Sequence, residues 1–159
     1  MKILGIDPGS TRIGYGLIKK NKKDFGFISA GLLDIFSKDK NLRLLDLEKS
    51  FSSLLKKEKP DLVSMEKLYF YKNVKTAMEV SQSRGVLTFL VIKNKIPLLE
   101  YTPSEVKSMV TGYGMADKKS IARAVEKILK INKISGYDDV TDALAIAITA
   151  GYHNYKVEL

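Results

Sequence analysis

Residues 2–19 read KILGIDPGSTRIGYGLIK, and the rest of the fold is interpreted outward from this stretch. The apolar run over residues 2–7 predicts a buried strand that ends at Asp7. A Pro-Gly-Ser turn follows, and residues 12–19 predict a second strand. We therefore expect an acidic side chain at the end of a buried strand, directly before a tight turn.

After this stretch the sequence predicts a third strand and then alternating helices and strands. The predicted strands cover residues 25–35, 61–66 and 96–101; the predicted helices cover residues 41–58 and 73–93, and three more begin near Thr102, Asp117 and Ser135. Two of those starts, TPSE and SGYD, have the spacing of a capping box. A three-strand meander followed by alternating β and α elements predicts an α/β fold with a mixed five-stranded sheet and helices on both faces.

Composition excludes several classes of protein. The chain has 159 residues, which is the length of one domain, and it has no cysteine and one histidine. Disulfide scaffolds, thiolate metal sites and multi-histidine metal sites are therefore excluded. No apolar run approaches the roughly 18 residues of a membrane span, and no signal peptide is recognisable. We expect a cytoplasmic protein with no membrane partner.

The charge balance indicates a polyanionic partner. The chain carries 23 lysines and 4 arginines against 18 acidic residues, so its net charge is +9. Such a basic small domain is typical of nucleic-acid binding. A general lysine bias that serves solubility is the alternative explanation.

Four acidic residues occupy positions where a carboxylate does not favour stability. Asp7 and Glu66 each follow a buried strand, while Asp139 and Asp142 lie three apart on one side of the last helix. Each has an ordinary explanation as a turn residue, a solvated strand end or a residue that favours the helix dipole. If the first and fourth strands are neighbours, however, the four meet at one edge of the sheet.

Four converging carboxylates predict a site for divalent cations. They repel one another and cannot all ionise without compensation. An all-oxygen donor set fits Mg²⁺ or Mn²⁺. Two such ions held together activate the attacking group and stabilise the leaving oxygen of a phosphodiester. The sequence therefore predicts phosphodiester hydrolysis.

Four motifs together resemble the RuvC family of crossover (Holliday) junction endodeoxyribonucleases. They are GIDPGSTRIGYG at 5–16, SMEKLYFYKN at 64–73, QSRG at 82–85 and YDDVTDALAIAITAGYH at 137–153. The resemblance implies one ribonuclease-H-like nuclease domain over residues 1–159, acting as a homodimer on four-way junction DNA. It further implies paired symmetric nicks with 5′-phosphate and 3′-hydroxyl ends, two Mg²⁺ ions per subunit for which Mn²⁺ substitutes, and cooperation with a branch-migration helicase complex.

The resemblance also assigns roles to individual residues. The metal ligands fall on Asp7, Glu66, Asp139 and Asp142, with Asp138 as the competitor for the third place. Lys107 matches a family lysine near the active site. Lys118 and Lys119 are predicted from the sequence itself, because lysines in the first turn of a helix are favourable when a phosphate binds there. Lys118 or Lys107 is therefore expected to stabilise the negative charge that develops in the reaction. The predicted DNA-binding residues are Lys67, Tyr69, Phe70, Lys72, Lys75, Arg84, Lys107, Lys118 and Lys119. An aromatic residue after the glutamate wedges into the junction in this family, so Tyr69, Phe70 and Tyr71 are all candidates here.

One helix predicts an interface between two copies of the chain. Ala77, Ser81 and Gly85 are small residues at a spacing of four, which allows a second helix to approach closely, and Met78 flanks them. Packing against the chain's own sheet is the alternative. The resemblance favours the interface, because the family dimerises through this region.

Three other functions remain open at this point. The GIDPGS turn also resembles the phosphate-binding turn of sugar kinases and actin-like ATPases. A nuclease of the same fold could act on RNA. A module that binds junctions without cutting them is the third alternative.

Overall fold

The computed structural model describes residues 1–22, 24–67, 74–134 and 136–153, with the side chains of residues 74 and 75 left aside. These parts of the chain form five strands and five helices. The strands are β1 (Lys2–Pro8), β2 (Ile13–Lys20), β3 (Phe25–Leu32), β4 (Leu62–Glu66) and β5 (Leu98–Tyr101); the helices are α1 (Lys40–Glu58), α2 (Val74–Lys93), α3 (Pro103–Thr111), α4 (Lys118–Leu129) and α5 (Asp138–Tyr152).

The strands form one mixed sheet with the order β3-β2-β1-β4-β5. The first three strands pair antiparallel as a meander. β1 and β4 pair in parallel, with Ile6 opposite Met65, and β4 pairs in parallel with β5. The predicted adjacency of the first and fourth strands is therefore confirmed.

Helices cover both faces of the sheet because side chains alternate along the buried strands. Ile3 of β1 belongs to the core shared with α3, α4 and α5. Its neighbour Leu4 points to the other face and packs in the core shared with α1 and α2. The predicted α/β architecture is confirmed, and both cores are built almost wholly from aliphatic side chains.

Three element boundaries differ from those predicted by more than one residue. β3 ends at Leu32 rather than at residue 35. β5 begins at Leu98 rather than at residue 96, because the Ile96 amide donates to the Val91 carbonyl at the end of α2. The predicted capping box of the last helix is wrong: α5 begins at Asp138 with Tyr137 as its N-cap and no side-chain cap.

The other predicted capping box is confirmed. The Thr102 hydroxyl accepts a hydrogen bond from the Glu105 amide at 3.1 Å, and the Glu105 carboxylate accepts one from the Thr102 amide at 2.7 Å. This reciprocal pair satisfies two donors that a helix start leaves unbonded. It fixes the start of α3, the helix that carries Lys107.

Among the helices in the described ranges, none combines the length and apolar character needed to cross a membrane.

Candidate active site

Asp7 and Glu66 lie side by side at the carboxyl edge of the sheet. Asp7 is one residue beyond Ile6, and Glu66 is one residue beyond Met65, its parallel partner. In open α/β sheets this edge is where ligands bind. The two strands therefore present two carboxyl groups at the position where the sequence predicts a site.

Helix α5 brings the other two acids to the same edge by packing closely on the sheet. β2 carries Gly14 beneath the start of the helix, and a Cβ there would lie 2.1 Å from the Asp139 carbonyl oxygen. Gly5 plays the same part on β1, where a Cβ would lie 2.1 Å from the Ala143 carbonyl oxygen. Only glycine permits so close an approach. Asp139 and Asp142 thereby sit over the ends of the strands.

The pKa of Asp7 shows that the four acids share one electrostatic environment. Burial is the largest cause that raises this pKa, to about 8, from the ordinary 3.8 of an aspartate. The negative charges of Asp142, Glu66 and Asp139 raise it further, in that order, while Lys118 lowers it. In the protein without a bound cation, Asp7 is therefore mostly protonated at neutral pH.

Glu66 and Asp142 are perturbed in the same direction. Burial raises the pKa of Glu66 to about 7, with a further rise from Asp142 and an opposing effect from Lys107. Burial is also the main reason that the pKa of Asp142 is raised, with Lys118 opposing it. Clusters of carboxyl groups perturbed by burial and by one another mark candidate functional sites.

A cleft of about 420 Å³ opens beside the acids and carries both predicted catalytic lysines. Its lining includes the two acids Glu66 and Asp142 and the two lysines Lys107 and Lys118. The two lysines come from α3 and α4, which pack beside α5. The structure therefore brings all six predicted catalytic side chains into one electrostatically coupled group, in which Asp139 acts on Asp7, Asp142 and Lys118.

Two basic residues hold the two acids at the start of α5. Lys118 donates a hydrogen bond of 2.8 Å to the Asp138 carboxylate. Arg12 forms an ion pair with Asp139, with 3.3 Å between Nε and Oδ2, and its guanidinium stacks over the Tyr137 ring at 4.3 Å. Asp138 is fully exposed and engaged with Lys118, whereas Asp139 is partly buried and raises the pKa of Asp7. This geometry favours Asp139 over Asp138 as the third acid.

Arg12 is a residue that the sequence analysis did not single out. It lies in the turn after Asp7, directly before Ile13, and Ile13 pairs with Pro8 at the same edge of the sheet. A neighbouring contact braces this turn, because Arg43 of α1 donates to the Ser10 carbonyl at 2.6 Å. The sequence did contain a signal for Arg12: it is one of four arginines in a chain with 23 lysines. The planar guanidinium of arginine suits carboxylates and phosphates, so such a residue near Asp7 could have been selected as a candidate.

The residues of this edge fit a divalent cation in their chemistry. The donor set is all carboxylate oxygen, and burial raises the pKa of Asp7 and of Glu66 by more than the nearby lysines lower it. Within the described ranges, no three acidic or histidine side chains yet converge as the ligands of one ion.

Comparison with known proteins identifies the family. The family described as "Crossover junction endodeoxyribonuclease RuvC" matches residues 3–150. A protein of that name from Petrotoga mobilis is 45% identical over 153 residues, which cover 95% of this chain and 93% of the relative.

The chain belongs to the RuvC family.

A second RuvC relative and a solved RuvC structure agree with this assignment. The relative from Caldicellulosiruptor saccharolyticus is 43% identical over 150 residues, covering 93% of this chain and 90% of the relative. The structure described as Thermus thermophilus RuvC in complex with Holliday junction substrate is 27% identical, with a TM-score of 0.87 over 96% of this chain and 94% of that chain. The predicted ribonuclease-H-like fold is therefore confirmed.

The remaining predicted DNA-binding residues differ in their placement. Lys67 follows Glu66 and is exposed, and Lys119 is exposed beside Lys118 in the first turn of α4. Arg84 is mostly buried and forms an ion pair with Glu100 of β5, so in this structure it links α2 to the sheet. Its contact with DNA remains a prediction.

Five predicted residues cannot be placed. Tyr69, Phe70 and Lys72, together with Tyr71 as a further candidate for the RuvC wedge, lie outside the described residues, and so does the side chain of Lys75. Their roles therefore rest on the resemblance alone.

The predicted dimer residues lie on an exposed part of α2. Met78 is 62% exposed, and a Cβ on Gly85 would meet nothing within 4 Å. Ser81 is exposed as well, and Ala77 is partly buried. Phe89 and Ile92 on the same helix are also exposed, although the sequence analysis did not include them. This surface is available to a second RuvC subunit.

Proposed function

We propose that this RuvC-family chain is a Mg²⁺-dependent endonuclease that resolves four-way (Holliday) DNA junctions. The observation that carries the proposal is the meeting of Asp7, Glu66, Asp139 and Asp142 at one sheet edge beside a cleft lined by two lysines. Phosphodiester hydrolysis needs a cation site and positive charge near the reacting phosphate, and this edge has the residues for both.

Four-way junction DNA is the substrate best supported for this chain. The RuvC of Thermus thermophilus was solved with a Holliday junction substrate, and its fold matches this chain over nearly its whole length. The net charge of +9 suits a polyanion. Lys67, Lys107, Lys118 and Lys119 would contact the DNA backbone, and a residue among Tyr69, Phe70 and Tyr71 would enter the junction.

Asp7, Glu66, Asp139 and Asp142 would hold two Mg²⁺ ions per subunit, with Mn²⁺ as a substitute. When bound, these ions supply Lewis-acid stabilisation of the phosphate and lower the pKa of water. Asp7 and Glu66 must release their protons for this to happen, because burial raises the pKa of both. Asp7 therefore keeps its proton at neutral pH until positive charge compensates it.

The two lysines of the cleft act on the phosphate itself. Lys107 and Lys118 line the same cleft as Glu66 and Asp142 and act on their charges, so a phosphodiester held by the acids would lie near both lysines. Their ammonium groups stabilise the negative charge that develops on the phosphate oxygens. A 5′-phosphate and a 3′-hydroxyl result when water attacks phosphorus and the 3′-oxygen leaves.

A homodimer would account for paired cuts. A four-way junction has two-fold symmetry, and two RuvC subunits related by the same symmetry would place one acidic edge on each of two strands. The exposed surface of α2 around Met78 and Gly85 would form the contact. Cooperation with a branch-migration helicase complex remains an expectation from the resemblance.

A single cleavage experiment tests the proposed function. A synthetic four-way junction, labelled on each strand in turn, is incubated with the protein and Mg²⁺, and linear duplex DNA and a structured RNA serve as controls. We expect symmetric nicks in two strands of like polarity that DNA ligase can reseal, and little cutting of either control. Tight junction binding without nicks in Mg²⁺ or Mn²⁺ would instead indicate a binding module.

A further inference from the structure

The contacts of Arg12 point to a role that the acidic residues alone do not explain. We propose that Arg12 is the counter-ion of Asp139 while the site is without a cation, and that it exchanges Asp139 for a DNA phosphate once a divalent cation binds. This inference rests on the proposed function, because it requires Asp139 to be a cation ligand and DNA to reach this edge.

The position of Arg12 makes it part of the edge. It directly precedes β2, whose first residue, Ile13, pairs with Pro8 at the end of the Asp7 strand. The ion pair joins Arg12 Nε to the Asp139 carboxylate at 3.3 Å. Arg43 holds the turn in place from α1 through the Ser10 carbonyl. Arg12 therefore places a positive charge beside Asp139, at the rim of the four acids.

Electrostatics explains why the pairing depends on the cation. Without a cation, Asp139 lies in a cluster of partly buried acids, and Arg12 is the positive partner that its carboxylate contacts. A divalent cation would repel the guanidinium and would need the same carboxylate oxygens. Arg12 and the cation are thus competitors for Asp139.

The Tyr137 ring determines the position of the Arg12 guanidinium once it has left the Asp139 carboxylate. The guanidinium stacks over the Tyr137 ring at 4.3 Å, and this contact does not involve Asp139. The Arg12 side chain is 51% exposed, so it faces solvent beside the edge that DNA would approach. A guanidinium carries five N–H donors and suits a phosphate. The stack therefore keeps the released arginine at the rim, ready for the backbone of the substrate.

The first test measures cation binding without DNA. Mn²⁺ is titrated calorimetrically into the wild type, Arg12→Gln, Arg12→Lys and the charge-matched control Lys57→Gln, whose lysine lies near the end of α1 at the opposite edge of the sheet. Removal of a competing charge a few ångströms away should tighten Mn²⁺ binding of Arg12→Gln by roughly three- to tenfold. Arg12→Lys keeps the charge and should stay close to the wild type, as should Lys57→Gln. Unchanged or weaker Mn²⁺ binding by Arg12→Gln overturns the proposal.

The second test measures junction binding against salt concentration, once in Ca²⁺ and once in EDTA. In Ca²⁺ the released Arg12 should contribute one phosphate contact, so Arg12→Gln should reduce the slope of log K against log salt by roughly 0.9. In EDTA the arginine is engaged with Asp139, and the slope should not change. An equal change in both conditions, or none in either, contradicts the exchange.

Tyr137→Leu separates the stack from the charge. It should weaken junction binding in Ca²⁺ while changing Mn²⁺ affinity less than Arg12→Gln does; the opposite order contradicts the role of the ring. Circular dichroism verifies that each variant is folded. Failure of the proposed function would appear separately, as the absence of Mg²⁺-dependent nicks by the wild type, since the Mn²⁺ titration requires no cleavage.

Discussion

Asp7 and Glu66 end neighbouring parallel strands, and the charge of Glu66 raises the pKa of Asp7. Burial contributes more than this repulsion does, and together with Asp142 and Asp139 these effects place the pKa of Asp7 at about 8. Asp7, at the edge of the sheet, is therefore mostly in its neutral form at pH 7 when no cation is bound. The predictions about this edge depend on how burial and neighbouring charges set the ionisation of its acids.

The stability of the cation-free protein should fall as pH rises from about 4 to about 8. In that window the folded state holds the Asp7 proton and the unfolded state has lost it, so the slope of unfolding free energy against pH is negative. Thermal unfolding in EDTA measures it. Asp7→Asn should flatten the dependence and raise Tm at pH 8 by a few degrees. A wild-type Tm that rises across this window would contradict the environment assigned to Asp7.

Asp7→Asn should abolish cleavage while leaving junction binding largely intact. The amide keeps the size of the side chain but removes a negative ligand oxygen from the proposed cation site. Gel-shift and nicking assays on the same junction measure the two properties separately. The matched control is Asp24→Asn, in the connection between β2 and β3, which removes an exposed carboxylate. Retained Mg²⁺-dependent cleavage by Asp7→Asn would refute the metal assignment.

Asp138 and Asp139 should respond very differently to the same substitution. Asp139→Asn should reduce the cleavage rate by roughly 100-fold or more, because it removes a proposed ligand. Asp138→Asn removes only an exposed partner of Lys118, and exposed pairs contribute little, so a loss below about tenfold is expected. Single-turnover cleavage rates decide the matter. The reverse ranking would assign the third ligand place to Asp138.

Loss of either cleft lysine should slow the chemical step more than it weakens binding. Lys118→Ala and Lys107→Ala each remove positive charge from the cleft beside Glu66 and Asp142. Removal of one such group from a reaction centre typically costs on the order of 100- to 1,000-fold in rate. Single-turnover rates at saturating enzyme report the effect, and Lys127→Ala in the last turn of α4 serves as the control. Equal losses in binding and rate would indicate a contact with DNA only.

A charge on the exposed surface of α2 should dissociate the proposed dimer. Met78→Asp and Gly85→Arg each add a charged group where the side chain is exposed or the space is open, so the fold of one subunit should survive. Light scattering after gel filtration should then report a mass near 17.8 kDa instead of twice that value. Met109→Asp on α3 is the control and should leave the mass unchanged. A wild-type mass of one chain would contradict the dimer itself.

Local patterns were enough to predict most of the elements, but not all of their boundaries. Short apolar runs bounded by turn residues predicted the strands, and TPSE at 102–105 marked the start of α3 through contacts within four residues. SGYD at 135–138 has the same spacing, yet α5 begins at Asp138 with Tyr137 as its N-cap. The packing of α5 on Gly5 and Gly14 is a long-range interaction, and a local signal does not contain it.

The acids of the candidate site could also be predicted from the sequence, whereas the ion pairs that hold them could not. Asp7, Glu66, Asp139 and Asp142 could be selected from the sequence because each carboxyl interrupts or flanks an apolar stretch. The ion pair of Arg12 with Asp139 joins residues far apart in the chain, and so does that of Lys118 with Asp138. No periodicity relates such residues, so these pairs were not predicted.

The sequence by itself determined that acidic side chains stand at the ends of buried strands, because apolar runs and turn residues are local patterns that extend over a few positions. Only the tertiary structure decided the pKa values of these acids. The pairing of β1 with β4 and the approach of α5 set the distances between charges and their exposure to water. Electrostatic energies depend on those two quantities, and both arise only when distant segments pack together.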